Sequence, residues 1–492
     1  MKIGIIGMGV AGISILRELH RQLKETDSRK FTVIIFTEAS QFGTGFPYQA
    51  DDESLLINQY TETMTIDPEK PDDFVDWIAE NKSSQSIYHT HLPRTWFGEY
   101  LNERMNEWLG KLNVKIIYEK AIDIEHLANG HYAVHTANST TSVECIHLTT
   151  GHLAYKDPYD LKGEKGYVYS PYPAKEKIQL NTPKSSVAII GTGLTALDAM
   201  LYVNKEYPFA DLTFYSRDGL FSSVRGNETS VDMHYFCQDK VIELLNKGQI
   251  MTLELVKDWF YREMTEHGIN VEWVWENLGN GTIEGMAMDL SHSDSLGEFQ
   301  SLIRHMRNCY PVIWNTLPDD EKNLFLQTYG KQWQRFKAPI PQKTAQYIIR
   351  KVQQNEISIV SGLDTIRKAG DQFILKTAGD QLFTADHVIN CTGQVIDLTQ
   401  SLSKQDPLIR QLVSRKLVSP SAYGGIAIDY PSMSIVDADN KRHPLFKAYG
   451  QIVSGVQFGN NNVELISLSA TSGVQSMRDA LKKTPTNQTN ET

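Results

Sequence analysis

"VAIIGTGLTALDAM" (187–200) runs from four apolar residues through a glycine-rich turn into the start of a helix. "IGIIGMGVAG" (3–12) makes the same move near the beginning of the chain. Gly7 and Gly191, the first glycines of the two turns, stand 184 residues apart. Strand, tight glycine turn and helix in immediate succession open a doubly wound α/β unit, so the pair predicts two such units in one chain.

In the earlier copy, residues 2–6 read as a buried parallel strand. Gly7, Gly9 and Gly12 follow in G-x-G-x-x-G spacing, with Ala11 just before the last. The helix after them sets Ile13, Leu16, Leu19 and Leu23 on one face and Arg17, Arg21 and Lys24 away from it. A second strand, Phe31–Phe36, ends near Glu38. These are the parts of a dinucleotide cradle. Gly7 permits the tight turn, Gly9 lets backbone approach a pyrophosphate, and Gly12 lets the helix pack close, so that its positive N-terminus faces the phosphates. Glu38, 26 residues past Gly12, offers a carboxylate to ribose hydroxyls.

The later copy differs at one informative place. Gly191, Gly193 and Ala196 give G-x-G-x-x-A, and Leu194, Leu197 and Leu201 form the inward face of a helix that ends before Pro208. The next strand, Leu212–Tyr215, ends in Ser216-Arg217 rather than in an acid. An acid repels a ribose 2′-phosphate, whereas a hydroxyl and a guanidinium hold it. The bland alternative is a surface arginine at a strand end. Read together, an acid at one strand end suits a cofactor with free ribose hydroxyls, such as FAD, and a basic end suits NADPH. Two dinucleotides in one chain imply electron transfer between them.

Composition bounds the remaining choices. The chain has 492 residues, a net charge of −11 and a pI near 5.7, which argues against nucleic acid as a general partner. No apolar run is long enough for a membrane span, and the first strand begins at Lys2, leaving no room for a targeting segment. Cys145, Cys237, Cys309 and Cys391 are scattered without a C-x-x-C pair. Hence no metal site or redox disulfide is expected, and a reducing cytoplasm fits.

Several further segments carry a resemblance: "FGTGFPYQADDESLLINQYTETMTI" (42–66), "PRTWFGEYL" (93–101), "CIHLTTGH" (145–152), "TFYSRDGLF" (213–221), "DHVINCTGQ" (386–394) and "AYGQIVSG" (448–455). With the tandem fingerprints, they resemble the FAD/NAD(P)-binding flavoproteins of the two-dinucleotide-binding-domain class. Within it they are similar to a bacterial group of FAD-NAD(P)-binding proteins that itself resembles the flavin N-hydroxylating monooxygenases. The resemblance implies that Asn58 in the L-L-x-N segment approaches the flavin. It also implies that Thr150-Gly151 and Thr392-Gly393 are paired A-T-G-like strand ends, and that the loop after Gly450 meets the flavin ring. In "GNNNVE" (459–464) it implies a helix start aimed at the pyrimidine oxygen; an ordinary polar cap is the other reading. The chain departs from the N-hydroxylating pattern D-x-x-x-[LF]-A-T-G-Y at Asn390, Cys391 and Gln394, and it lacks the Baeyer–Villiger signature.

By the same resemblance the NADPH domain is inserted in the FAD domain. That places FAD binding at 1–170 and 340–492, joined through the proline-bearing segment 170–184. The NAD(P)H domain is 171–339, with a helical insertion at 226–335. The insertion holds Trp259, Trp273, Trp275, Trp314 and Trp333, and helical-looking stretches at Val241–Leu255 and Glu298–Trp314. It reads either as a lid or as a subdomain packing on itself. Arg335 and Lys337 are candidate phosphate or substrate contacts, or solvated loop charges, and no internal repeat is visible. The expected function is an FAD-dependent, NADPH-using oxidoreductase in which hydride passes to flavin N5. Thereafter either O2 forms a flavin hydroperoxide that hydroxylates a small amine or similar nucleophile, or the flavin hands electrons to an acceptor. A non-catalytic flavin-binding sensor is the reading from another class. The hydride step needs no acid or base, so no catalytic residue is assigned; His152, beside the first T-G turn, reads as a proton gate or a structural histidine.

Overall fold

Each glycine turn does join a strand to a helix. The structure, a computed structural model, describes residues 1–23, 31–82, 87–458 and 462–483. Lys24, most of the polar stretch before Val463 and the tail from 484 therefore lie outside the described residues. In chain order the elements that build the cradles are β1 (Lys2–Ile6), α1 (Val10–Leu23), β2 (Thr32–Phe36), β3 (Cys145–Leu148), β4 (Ser186–Ile190), α2 (Leu194–Glu206), β5 (Asp211–Tyr215), β6 (His387–Asn390), β7 (Arg442–Ala448) and α3 (Val463–Lys483). Contacts divide the chain into one unit of residues 1–50, 59–154 and 394–492 and another of 51–58 and 155–393.

The first unit is built on a seven-stranded sheet in the order 428–429, 434–436, β7, β3, β1, β2, 114–117. From β7 to 114–117 the strands run parallel. Parallel strands are buried on both faces, which is why β3 is apolar or buried at every position. A three-stranded antiparallel sheet (123–126, 132–135, 140–143) precedes β3. Helices α1 and α3 pack together closely enough for the Ser14 and Ser467 hydroxyls to meet at 3.1 Å. Arg17 corrects the sequence reading. It is buried, not directed to solvent, and its guanidinium donates to the Ile66 carbonyl and pairs with Glu18 and Asp67.

Two buried bases lie side by side in this unit, since Lys447 on β7 is in register with His147 on β3. His147 Nδ1 meets the Tyr449 hydroxyl at 2.9 Å and its Nε2 faces Met477 Sδ at 3.3 Å. Lys447 donates to the Ser432 carbonyl and to the Ser434 and Ser476 hydroxyls. Burial, aided by the Lys447 charge, pushes the imidazole down to about 3, and burial lowers the ammonium to about 8. Between the ordinary value of 6.5 and about 3, the unfolded chain protonates His147 while the folded chain does not. Stability therefore rises with pH across that window and is lost as the pH falls. Going from pH 7 to pH 5 should cost the wild type about 2 kcal/mol more than His147→Gln. Denaturant midpoints of both proteins at the two pH values check this, and equal losses would refute it.

The second unit carries a five-stranded, all-parallel sheet in the order 357–360, β5, β4, β6, 167–168. A three-stranded antiparallel sheet (363–369, 372–377, 382–385) precedes β6, as its counterpart precedes β3. The two units thus repeat one construction: strand, glycine turn, helix, strand, later an antiparallel triplet, then a strand ending in T-G. The repeat is architectural, and so escapes a search for repeated residues. Pairing of β6 with β4 and of 357–360 with β5 also draws the second unit out to 155–393, beyond the 171–339 expected, and 51–58 joins it. Asp51 accepts from the backbone N–H groups of Ala174 and Lys175, and Asp52 pairs with Lys205.

Within this unit, eight helices from Gln238 to Lys337 form the insertion. The stretch expected as Val241–Leu255 is two helices, Gln238–Asn246 and Leu253–Glu266, because Gly248 takes φ +72° and Thr252 caps the second by accepting from Leu255 N–H. Glu298–Trp314 likewise divides into Ser293–Met306 and Tyr310–Thr316. Phe299 packs on Phe336 at 5.0 Å between ring centres, and Tyr310 packs on Trp333 at 5.6 Å. The insertion's aromatic residues thus face one another and give it a core of its own.

Candidate functional site

Both cradles lie at the carboxyl ends of parallel strands, and both are locked by the same contacts. Gly7 N–H donates to Phe36 O at 2.8 Å, and Gly191 N–H donates to Tyr215 O at 2.8 Å. Gly7 has φ +96°, and a Cβ on it would lie 2.5 Å from the Thr149 carbonyl oxygen at the end of β3. Gly191 has φ +115°, and its Cβ would lie 2.9 Å from the Cys391 carbonyl oxygen at the end of β6. A side chain is thus excluded twice over, by backbone conformation and by space. Gly12 packs α1 onto the turn, since a Cβ there would lie 2.5 Å from Gly7 O. Ala196 is fully buried at the matching place in α2, and Ala11 is buried beside Gly12.

The middle glycines differ. A Cβ on Gly193 would stand in open space, leaving room for a phosphate against the backbone. At Gly9 a Cβ would instead meet protein, lying 3.1 Å from the Cα of Gly45. The loop after β2 crosses the first turn there, tied by Gly43 N–H to Met8 O at 2.9 Å. Gly9 thus also admits this loop, a constraint invisible in the fingerprint.

The strand ends carry the residues expected to discriminate cofactors. Glu38, about half exposed, lies 3.7 Å from Lys120 Nζ, which pairs more closely with Asp406 at 2.7 Å. Arg217 is exposed. Ser216 Oγ accepts from Gly219 N–H at 2.8 Å, which fixes the turn and leaves the hydroxyl proton to donate. Burial raises the Tyr159 phenol and the Arg217 charge opposes that rise, so this phenol lies within the field of the guanidinium.

Gly151 and Gly393, with φ +77° and +80°, turn the chain at the two T-G ends, and added side chains would meet nothing there. Thr392 donates to Asn390 Oδ1 at 2.7 Å, while Asn390 Nδ2 reaches the Lys156 and Tyr169 carbonyls. The departure at Asn390 thus has a local structural job. Asn58 uses its backbone carbonyl to accept from Arg225, which also pairs with Glu228. Arg304 flanks the same carboxylate at 3.1 Å. Gly450 (φ +78°) opens a short turn after β7. Lys337 is lowered to about 8 by burial and then by Arg307. Sequence reasoning missed two clusters: the Arg225–Glu228–Arg304 group, and His234, Glu263 and His267 in the insertion. Glu263 is fully buried and accepts from the backbone N–H groups of His234, Tyr235 and Phe236, so its carboxylate anchors a loop.

The fold is that of two dinucleotide-binding units, each with its own glycine-turn cradle. Residues 4–153, which hold the first cradle and its T-G strand end, match the family described as FAD-NAD(P)-binding. Among solved structures, the chain is similar to L-lysine 6-monooxygenase from Pseudomonas syringae, with 12% identity and a TM-score of 0.61 over 98% of this chain and 99% of that one. It is similar to the ornithine N-hydroxylase of Kutzneria sp. 744 at 13% identity and a TM-score of 0.59, over 98% and 99%. It is also similar to the cadaverine monooxygenase of Erwinia amylovora at 12% identity and a TM-score of 0.58, over 97% and 94%. At such identities the likeness speaks for the fold. No curated protein matches the sequence. Among the described residues, no helix is long and apolar enough to cross a membrane.

Proposed function

We propose that the chain is an FAD-dependent, NADPH-using monooxygenase that hydroxylates a small amine. The observation that carries the two-cofactor part is the doubled cradle with unlike strand ends, Glu38 after β2 and Ser216-Arg217 after β5. The fit is structural. A Cβ on Gly193 would meet nothing at the start of α2, and the first-turn N–H groups of α1, behind Gly7 and Gly9, have no intrahelical acceptor. FAD, when bound, accepts a hydride from NADPH and can pass electrons to O2. The chain's own part is to hold the adenosine ribose at Glu38, the 2′-phosphate at Arg217 and the pyrophosphates at the two helix starts. Amine as substrate class rests on fold likeness to enzymes that act on lysine, ornithine and cadaverine. A cytoplasmic setting belongs to the same proposal.

The reaction consumes one NADPH, one O2 and one proton per amine and yields NADP⁺, water and a hydroxylamine. Purified protein should carry FAD that NADPH bleaches without oxygen. In air, one of a panel of diamines and basic amino acids should give hydroxylamine in step with NADPH consumed. NADPH oxidation yielding only hydrogen peroxide with every amine would leave a flavin reductase. A flavin that NADPH does not bleach would leave the sensor.

A further inference from the structure

We propose that His152 is a flavin-binding residue whose Nδ1 hydrogen-bonds a polar atom of the bound FAD. This rests on the FAD reading of the first cradle. The argument begins with position. His152 follows Gly151, one turn beyond the end of β3, whose Thr149 carbonyl touches the first glycine of the cradle. Its ring packs edge-on against Phe46, at 5.8 Å between centres. Phe46 belongs to the loop whose Gly45 roofs Gly9. The imidazole is therefore bordered by the same loop as the glycine turn.

It is also held there. Two residues on, Ala154 N–H donates to the Gln405 side chain at 3.1 Å, and Ala154 O accepts from Val395 N–H at 2.8 Å. Yet His152 Nδ1 is covered from solvent and has no hydrogen-bond partner among the described residues. Covered polar atoms in folded proteins are nearly always paired. His152 is half-buried with its Nδ1 covered, and the three fully buried histidines have partners: His147 meets Tyr449, His443 meets Asp437 at 2.8 Å, and His387 accepts from Asn181 N–H at 3.1 Å. His135 also has a covered Nε2 without a hydrogen bond, but its Nδ1 is held by the Thr140 hydroxyl at 2.9 Å. At His152 the partner is left to a ligand. Burial holds this imidazole down to about 4, so at neutral pH it is uncharged, with one N–H and one lone pair.

The experiment compares wild type, His152→Phe and His152→Asn, each stripped of flavin and titrated with FAD. Phe keeps the packing on Phe46 and removes the nitrogen; Asn restores a polar atom near the Nδ1 position. Dissociation constants come from flavin fluorescence, and thermal midpoints of the flavin-free proteins are measured alongside. We expect Phe to weaken FAD binding by about tenfold or more, Asn to recover most of the loss, and the flavin-free midpoints to agree. An unchanged dissociation constant in the Phe variant overturns the assignment. So does a lowered flavin-free midpoint, which marks a histidine serving the fold. Failure of the wild type itself to bind FAD is a separate result, and refutes the cofactor reading rather than the role of His152.

Discussion

Gly9→Val should yield a folded protein that has lost its flavin. A Cβ at this position meets the Cα of Gly45 at 3.1 Å, so alanine forces a small shift and a branched side chain forces the loop away. That loop is tied to the first turn by Gly43 N–H to Met8 O, and it carries Phe46, which packs on His152. Moving it disturbs the wall of the cradle without touching the sheet, since Gly9 has no positive φ to protect. Bound FAD per chain should fall only partly in Gly9→Ala. It should fall about tenfold or more in Gly9→Val, the loss expected when one or two hydrogen bonds to a charged ligand are broken. Absorbance at the flavin band against protein concentration measures both. Full flavin content in Gly9→Val would mean that the loop has no part in binding.

Much of the geometry of the two glycine turns is legible in the sequence, and the reason is local. G-x-G-x-x-G reports close approach of backbone to backbone. Gly7, Gly12 and Gly191 make such approaches with carbonyls of their own turn or of the adjacent strand end. Strand ends were equally legible, because the last residue of a short apolar run is fixed by the run itself. What escaped was everything set by distant partners. Arg17 looked like a solvent-facing residue on a helical wheel, yet it is buried because residues 66 and 67 supply a carbonyl and a carboxylate. At Gly9 the fingerprint does not reveal that an added Cβ would meet Gly45. The T-G end at 392–393 was visible, but its sheet was not, since β6 pairs with a strand about 200 residues earlier. His152 stays ambiguous in the sequence, because only the fold shows that its Nδ1 is covered and has no hydrogen-bond partner among the described residues.

Arg217→Ala should raise the Michaelis constant for NADPH about ten- to a hundredfold and leave that for NADH nearly unchanged. A charge-assisted hydrogen bond to a dianion contributes about 1.5–3 kcal/mol, and tenfold corresponds to about 1.4 kcal/mol. The backbone of the residue is well placed to direct it. Arg217 O accepts from Gly362 N–H at 3.1 Å, and Ser216 Oγ accepts from Gly219 N–H, so the turn is fixed while the guanidinium stays exposed. Exposure makes the contact sensitive to screening. The preference for NADPH should therefore narrow between low and high salt in the wild type and stay flat in the variant. Flavin content is the internal control: Arg217 belongs to the second unit and Glu38 to the first, so bound FAD should not change. Arg217→Lys keeps the charge but loses the forked donor geometry, and should fall between wild type and alanine. Equal losses with NADPH and NADH would assign Arg217 to the fold of the 216–219 turn. Loss with neither would move the phosphate elsewhere, and Arg335 and Lys337 would be the next residues to change.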